Sequence, residues 1–392
     1  MLVPLFLAAC DGGSKNQMTP DAVDHDAPPE PDAAPPPNLV SVDSFGETAV
    51  FIRYRNGDGP WLTPTTTSNG YEFRVDTSYE LVAVCGDATN GFDVAFEAAT
   101  WEEVGGETFL PCFATAFDET THPLTGTMVQ AGSVSVGTSF ADSPTGNWSF
   151  SLDAVEGAND LLAVGGGRML MRRNISVTAT TTTPPIDLVQ DGVATTTLPL
   201  TLNGLETDDV ARTRTYLLTQ RAFFILADEA GAMGRIAPAS QLAANDAQFI
   251  SIQASGGIYR RTAFKRHTTI SPASTFTLMP RLEGVQLGNA TATWTSIPAG
   301  NTSISAFSGI SSFRRTVSEG WLAGRTSLAI DTEVPGFLPE WKLGTIDFLQ
   351  FEVSMLQGSI SYRSGVVAAP PSLRTLARVE RVRMESLRRT YR

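Results

Sequence analysis

Tyr71-Glu72-Phe73-Arg74-Val75 and, three residues on, Tyr79-Glu80-Leu81-Val82-Ala83-Val84-Cys85 are the stretches that decide the fold. Apolar residues recur at alternate positions, which puts them on one side of a pleated strand and leaves the polar ones on the other. Thr48 to Arg55 alternates in the same way and runs into Asn56-Gly57-Asp58-Gly59, a turn signal, followed by Pro60 and Trp61. Phe92 to Phe96 is a further short run. Strands this short, punctuated by Gly, Asn, Asp and Pro, predict an antiparallel β-sandwich over residues 39–118.

The same period continues to the end of the chain. Residues 119–195 carry Leu124 to Met128, Ser133 to Val136, Gly146 to Leu152, Asp160 to Val164 and Met169 to Arg173, with the hairpin turn Gly165-Gly166-Gly167. Residues 196–280 carry Thr197 to Leu202, Arg212 to Leu218, Gln220 to Asp228, Phe249 to Gln253 and Ile258 to His267. The pair Arg212–Leu218 and Gln220–Asp228 is compatible with helix, but Tyr216, Phe223, Phe224 and Ile225 favour strand. Pro238 to Leu242 reads as one helical turn with proline at its start. Residues 281–392 add Ala292 to Trp294, Ser303 to Phe307, Phe313 to Val317, Ser327 to Ile330 and Ile346 to Met355, then a basic C-terminal tail. The expected fold class is therefore all-β, with tandem antiparallel β-sandwich modules. The order of strands in 119–195 resembles the carboxypeptidase regulatory-like, or transthyretin-like, sandwich, in which a Gly-Thr strand, a Gly-x-Trp-x-Phe strand and an Asp-Leu strand recur.

Ahead of the strands lies a different composition. Residues 11–38 hold seven prolines and six acidic residues. With no apolar period, such a segment cannot offset its ordering entropy, so a disordered acidic, Pro-rich linker is expected. Its proline runs favour extended polyproline II, giving a reach of roughly 60 to 80 Å. Residues 1–10 form an apolar run ending in Leu7-Ala8-Ala9-Cys10. That ending resembles the lipobox of bacterial lipoproteins. The resemblance implies a signal peptide removed before Cys10, a palmitate-type acyl anchor on Cys10, and a lipoprotein of the cell envelope held on the inner or outer membrane. The run is too short to span a bilayer, which takes about 20 apolar residues. A basic segment before the apolar run is missing, so the true start is expected upstream.

Composition narrows the function. The net charge is −13 and the pI about 4.7, which argues against nucleic-acid binding because phosphate backbones repel an acidic protein. Cys85 and Cys112 are the even pair left once Cys10 is lipidated, and in a chain that folds outside the cytoplasm they predict a disulfide. Such a bridge would contribute roughly 3 kcal/mol. Three histidines, at 25, 122 and 267, include no His-x-x-x-His pair, and no Gly-x-Ser-x-Gly or phosphate-binding glycine loop occurs. No catalytic residues, metal ligands or cofactors are assigned. Asp87, Asn90 and Asp93, and Asp208-Asp209, supply oxygen ligands but lack calcium-loop spacing.

Candidate ligand-binding residues come from aromatic and basic positions. Trp61 is the most turn-like of the tryptophans Trp61, Trp148, Trp294, Trp321 and Trp341, the rest of which read as sandwich core. Arg261, Lys265 and His267 share a strand face with Tyr259. This basic strand and the basic tail both read first as charged sheet edges. The function expected is a non-catalytic binding or scaffolding protein of the envelope, partnered by the membrane and by an envelope polysaccharide or protein. A glycan-binding accessory protein or glycan hydrolase is the alternative.

Overall fold

A computed structural model describes residues 38–44, 49–89, 91–110, 120–267, 274–308, 311–330, 332–358 and 379–390. The chain is almost all β, in several largely antiparallel sheets. Among the described residues the two α-helices, α1 (Trp101–Val104) and α2 (Glu319–Leu322), are single turns. Among the described residues no helix is long and apolar enough to cross a membrane. Both stretches weighed between helix and strand are strands, Val210–Leu218 and Phe223–Ala230. The turn after Pro238 is a 3-10 helix, Ala239–Gln241.

One sheet of eleven strands organises residues 37–392. In spatial order it runs Phe223–Ala230, Val210–Leu218, Ala247–Gly256, Tyr259–His267, Val379–Thr390, Phe348–Gly358, Asn301–Ser308, Ser311–Val317, Gly91–Thr100, Ser78–Asp87 and Phe51–Asn56. Every neighbouring pair is antiparallel except Ser311–Val317 with Gly91–Thr100.

The two faces of this sheet differ because its strands alternate. Ile250, Ile252 and Ala254 are buried on one face, while Ser251, Gln253 and Ser255 between them are half-exposed on the other. Asn301–Ser308 follows the same rule, with Ile304 and Ala306 buried and Ser303 and Ser305 half-exposed. Two three-stranded sheets cover the apolar face. Thr196–Asn203 and its partners pack Leu198, Leu200, Ile236 and Phe276 onto Ile250, Ile252 and Ala263. Val285–Leu287, Thr291–Trp294 and Ser327–Ala329 bring Val285, Ala292, Trp294 and Leu328 onto Val82, Phe96, Ile304 and Phe351. At roughly 1.5–3 kcal/mol for each large apolar side chain buried, these two clusters supply much of the stability. A four-stranded sheet (Thr65–Thr67, Gly70–Val75, Asn38–Asp43, Glu107–Phe109) covers the other face at its Phe51–Asn56 end, over Tyr79, Leu81, Ala83 and Cys85.

The sequence predicts separate sandwiches over 39–118, 119–195, 196–280 and 281–392. Residues 119–195 do build two sheets of their own, of five and three strands, around Leu124, Met128, Phe150, Leu161 and Ile186. They dock on the long sheet through Leu162 and Met169 against Leu217 and Phe224, and through Arg173, whose guanidinium reaches Asp160 at 3.1 Å and also pairs with Asp246. Strands from the other three stretches, however, share the one long sheet. Alternation fixes which face of a strand is buried; it does not name the strand beside it. Both expected sheet edges are corrected for the same reason. Tyr259–His267 and Val379–Thr390 are interior strands, and they pair with each other, Lys265 opposite Arg381.

Candidate ligand-binding surface

A row of alternating aromatic and charged side chains crosses the sheet near its Phe51–Asn56 end. It starts at a turn. Gly57 takes φ 50°, and Gly59 N–H donates to Asn56 O at 2.8 Å, which reverses the chain. Tyr54 and Leu62 then exchange backbone hydrogen bonds of 3.0 and 2.7 Å, folding the loop back so that Trp61 lies 4.8 Å from the Arg55 guanidinium. Arg55 grips Glu80 Oε2 with Nε at 3.1 Å and Nη2 at 2.7 Å. The other Glu80 oxygen accepts from Arg315 Nη2 at 2.8 Å. Arg315 Nη1 donates to Thr332 Oγ1 at 2.6 Å and to Ala329 O at 3.2 Å. Its guanidinium stands 5.6 Å from the ring centres of both Phe96 and Trp321, and Arg325 stacks on Trp321 at 3.9 Å.

The middle of this row is dry and its ends are wet. Glu80 and Arg315 are buried, Trp61, Arg55 and Trp321 are half-buried, and Arg325 is exposed. Two guanidiniums, Arg55 and Arg315, meet one carboxylate, and Arg325 adds a third cation beyond Trp321. Burial pushes Arg315 below the usual guanidinium range; Glu80 opposes that shift, while like charge on Arg55 and Arg325 adds to it.

Glu103 positions Trp321. Ser318 caps α2 by accepting from Trp321 N–H at 3.2 Å, and its own N–H donates to Ala98 O at 2.9 Å. Glu103, at the end of the Thr100 capping box on α1, accepts from Gly320 N–H at 2.7 Å and from the Ser318 and Thr100 hydroxyls. Burial disfavours its ionisation, but these hydrogen bonds outweigh burial and hold its carboxyl below the ordinary range. A Cβ at residue 320 would sit 2.9 Å from Glu103 Oε2, so a larger residue there would displace that carboxylate.

Of the residues singled out from sequence, Trp61 belongs to this row and the basic strand does not. Arg261 is 1 % exposed. It pairs with Asp209 and donates to Gly204 O at 2.6 Å and Met279 O at 3.0 Å. It is a buried cation beneath the small sheets rather than a surface contact, because its face of the strand is the core face. Lys265 is half-buried on the same strand, opposite Ile250, and His267 pairs with Gln248 through the backbone. Asp209 also takes Arg281 Nη2 at 2.9 Å, so arginines occupy the Asp208-Asp209 loop weighed for calcium. Among the described residues no three His, Cys, Asp or Glu side chains converge as metal ligands. Trp294 and Trp341 are buried, and Trp148 packs against the core of 119–195. Cys85 is buried in its strand; Cys10, Cys112 and Asn90 lie outside the described residues.

A second group went unread in the sequence. On the half-exposed polar face of the long sheet, Glu352 accepts from Gln350 Nε2 at 3.3 Å. Burial pushes its carboxyl up to about 7, against the lowering effects of Gln350, Arg260 and Arg314. Four rings, Tyr216, Phe223, Phe249 and Phe264, cluster on the same side of the neighbouring strands, with Tyr216 on Phe223 at 4.6 Å and Phe249 on Phe264 at 5.0 Å.

No protein-family model matches the chain, and no curated protein is similar to it in sequence. Among solved structures, it is similar to a Ca2+-stabilized adhesin that helps an Antarctic bacterium reach out and bind ice, at 13 % identity and a TM-score of 0.13, over 78 % of this chain and 86 % of that one.

Proposed function

We propose that the chain is a lipid-anchored protein of the bacterial cell envelope that acts by binding or scaffolding rather than by catalysis. Cys10 carries the acyl anchor, residues 11–38 hold the β-structure clear of the membrane, and residues 37–392 present the binding surface. The 119–195 sandwich is a transthyretin-like module, and Cys85 bridges to Cys112. The address rests on the Leu7-Ala8-Ala9-Cys10 motif and the linker behind it.

The observation that carries the binding role is the row from Trp61 through Arg55, Glu80 and Arg315 to Trp321 and Arg325. Its buried centre is locked by ion pairs, while at its ends the partly exposed Arg55 and the exposed Arg325 lie against indoles that pack on the core, residue types enriched where proteins bind. The hydrolase alternative draws on one feature, the near-neutral carboxyl of Glu352, since a glycan hydrolase needs an acid protonated near neutrality.

Expression of the full chain with radiolabelled palmitate tests the address. Label in the wild type, its absence from Cys10→Ala, and release of that variant from membranes are expected; equal membrane retention refutes the anchor. Incubation with a pooled polysaccharide panel tests the rest: no turnover is expected, and product release would overturn the non-catalytic role.

A further inference from the structure

The charge on the aromatic row points to one ligand class, and this inference rests on the binding role just proposed. The whole protein carries −13, yet the row sets three guanidiniums against two carboxylates, Glu80 between Arg55 and Arg315 and Glu103 behind Trp321. At physiological ionic strength charges more than about 8 Å away are largely screened, so a ligand at the row meets its local positive charge rather than the acidic surface at large. Glu80 and Arg315, buried behind, spend their hydrogen bonds on holding the geometry. Arg55 commits Nε and Nη2 to Glu80, and Arg325 commits Nε to Trp321 O at 3.3 Å. Arg55 Nη1 and both Arg325 Nη atoms make no hydrogen bond to the described residues. Each of these forks lies against a half-buried indole.

A guanidinium fork matches a carboxylate in shape, and an indole presents flat apolar surface to the C–H face of a sugar ring. We infer that the row binds an acidic polysaccharide, with uronate carboxylates on Arg55 Nη1 and the Arg325 fork and sugar rings against the solvent-exposed parts of Trp61 and Trp321. A neutral glycan would leave the excess positive charge unanswered. Nucleic acid also combines rings with anions, but at one charge per ~1.7 Å of duplex it brings far more negative charge than two free forks offset.

The test uses the full chain purified in detergent and isothermal titration with three probes: oligogalacturonate, dextran and single-stranded oligo(dT). Oligogalacturonate is expected to bind, with affinity falling about tenfold between 50 and 300 mM salt as two anionic contacts are screened. Trp61→Ala and Arg325→Ala should each weaken it at least tenfold. Both are half-buried or exposed positions, and circular dichroism of each variant checks that it folds. Arg214→Ala, at the far end of the long sheet, should bind as the wild type does. Absence of uronate binding, unchanged affinity in both variants, or tighter binding of oligo(dT) overturns the inference. Binding of dextran without uronate removes the acidic ligand and leaves the binding role intact. Uronate binding followed by cleavage upholds the ligand and removes the non-catalytic role.

Discussion

Replacing Glu80 by Gln keeps the shape of the side chain and deletes one charge, which makes it the sharpest probe of the row. Glu80 is 3 % exposed and holds two arginines, Arg55 at 2.7 Å and Arg315 at 2.8 Å. Removing one partner of a buried ion pair costs about 3–5 kcal/mol, mostly because the other charge is left uncompensated. Arg55 has a partly exposed side chain and can turn toward water. Arg315, 5 % exposed, cannot. The expected loss for Glu80→Gln is therefore at the lower end, about 3 kcal/mol. For a unit spanning residues 37–392, at about 2.1 cal/mol/K per residue, that is a fall in Tm of about 4 °C. Arg315→Met should cost a similar amount, since it also strands Thr332 and Ala329 O. The double variant should be less destabilised than the sum by about 2 kcal/mol, because charge is then removed with charge. Calorimetry at 0.1 and 0.5 M salt is the assay, and the buried pair predicts the same cost at both. A Glu80→Gln variant within about 0.5 kcal/mol of wild type, or additive losses in the double variant, would refute the reasoning.

Other outcomes follow from the same physics. Glu352 has its folded value raised from 4.5 to about 7, so its favourable contribution is complete below pH 4.5 and is lost as pH rises to 7; urea melts should show Glu352→Gln removing up to about 3 kcal/mol of that decline between pH 5 and pH 8. Asp209 has the opposite sign: burial raises its carboxyl, but the Glu206 N–H and Arg281 and Arg261 outweigh that, so its contribution is present above the ordinary carboxylate range and lost in acid. Asp209→Asn should destabilise the protein at pH 7 and flatten its acid limb in pH-jump melts. Gly126→Ala should lower Tm, because a Cβ there would sit 2.5 Å from both Phe150 Cζ and Thr183 Oγ1; an unchanged Tm counts against the packing described. Mass spectrometry of the alkylated protein should gain two thiols on reduction, at Cys85 and Cys112, and a full set of free thiols beforehand would rule out the bridge.

How much of this was legible from the residues alone depends on distance along the chain. Strand after strand reads correctly, because alternation is local and reports burial directly: Tyr71 to Val75 lies within Gly70–Val75, and Ser303 to Phe307 within Asn301–Ser308. Partnership does not read. Glu80 interrupts the apolar run Tyr79 to Cys85, and Arg315 interrupts Phe313 to Val317, so each marks itself as a charge in a core strand. Nothing local says that the two meet across 235 residues. Charge misleads where it is used as an exposure signal: Arg261 reads as surface and lies buried on Asp209, because a cation with three acceptors can enter a core. Trp61 read as a turn residue is in the row because the turn itself folds it onto Arg55.

The strand Val379–Thr390 is the last of the eleven in sequence order yet sits fifth in space, with Tyr259–His267 on one side and Phe348–Gly358 on the other. A ribosome delivers it after the other ten. Until it emerges, both flanking strands have bare edges that can recruit another nascent chain. A premature stop near residue 375 would leave the other ten strands in place and split the largest sheet in two. The eleventh strand to be made is thus a keystone of the sheet rather than its rim.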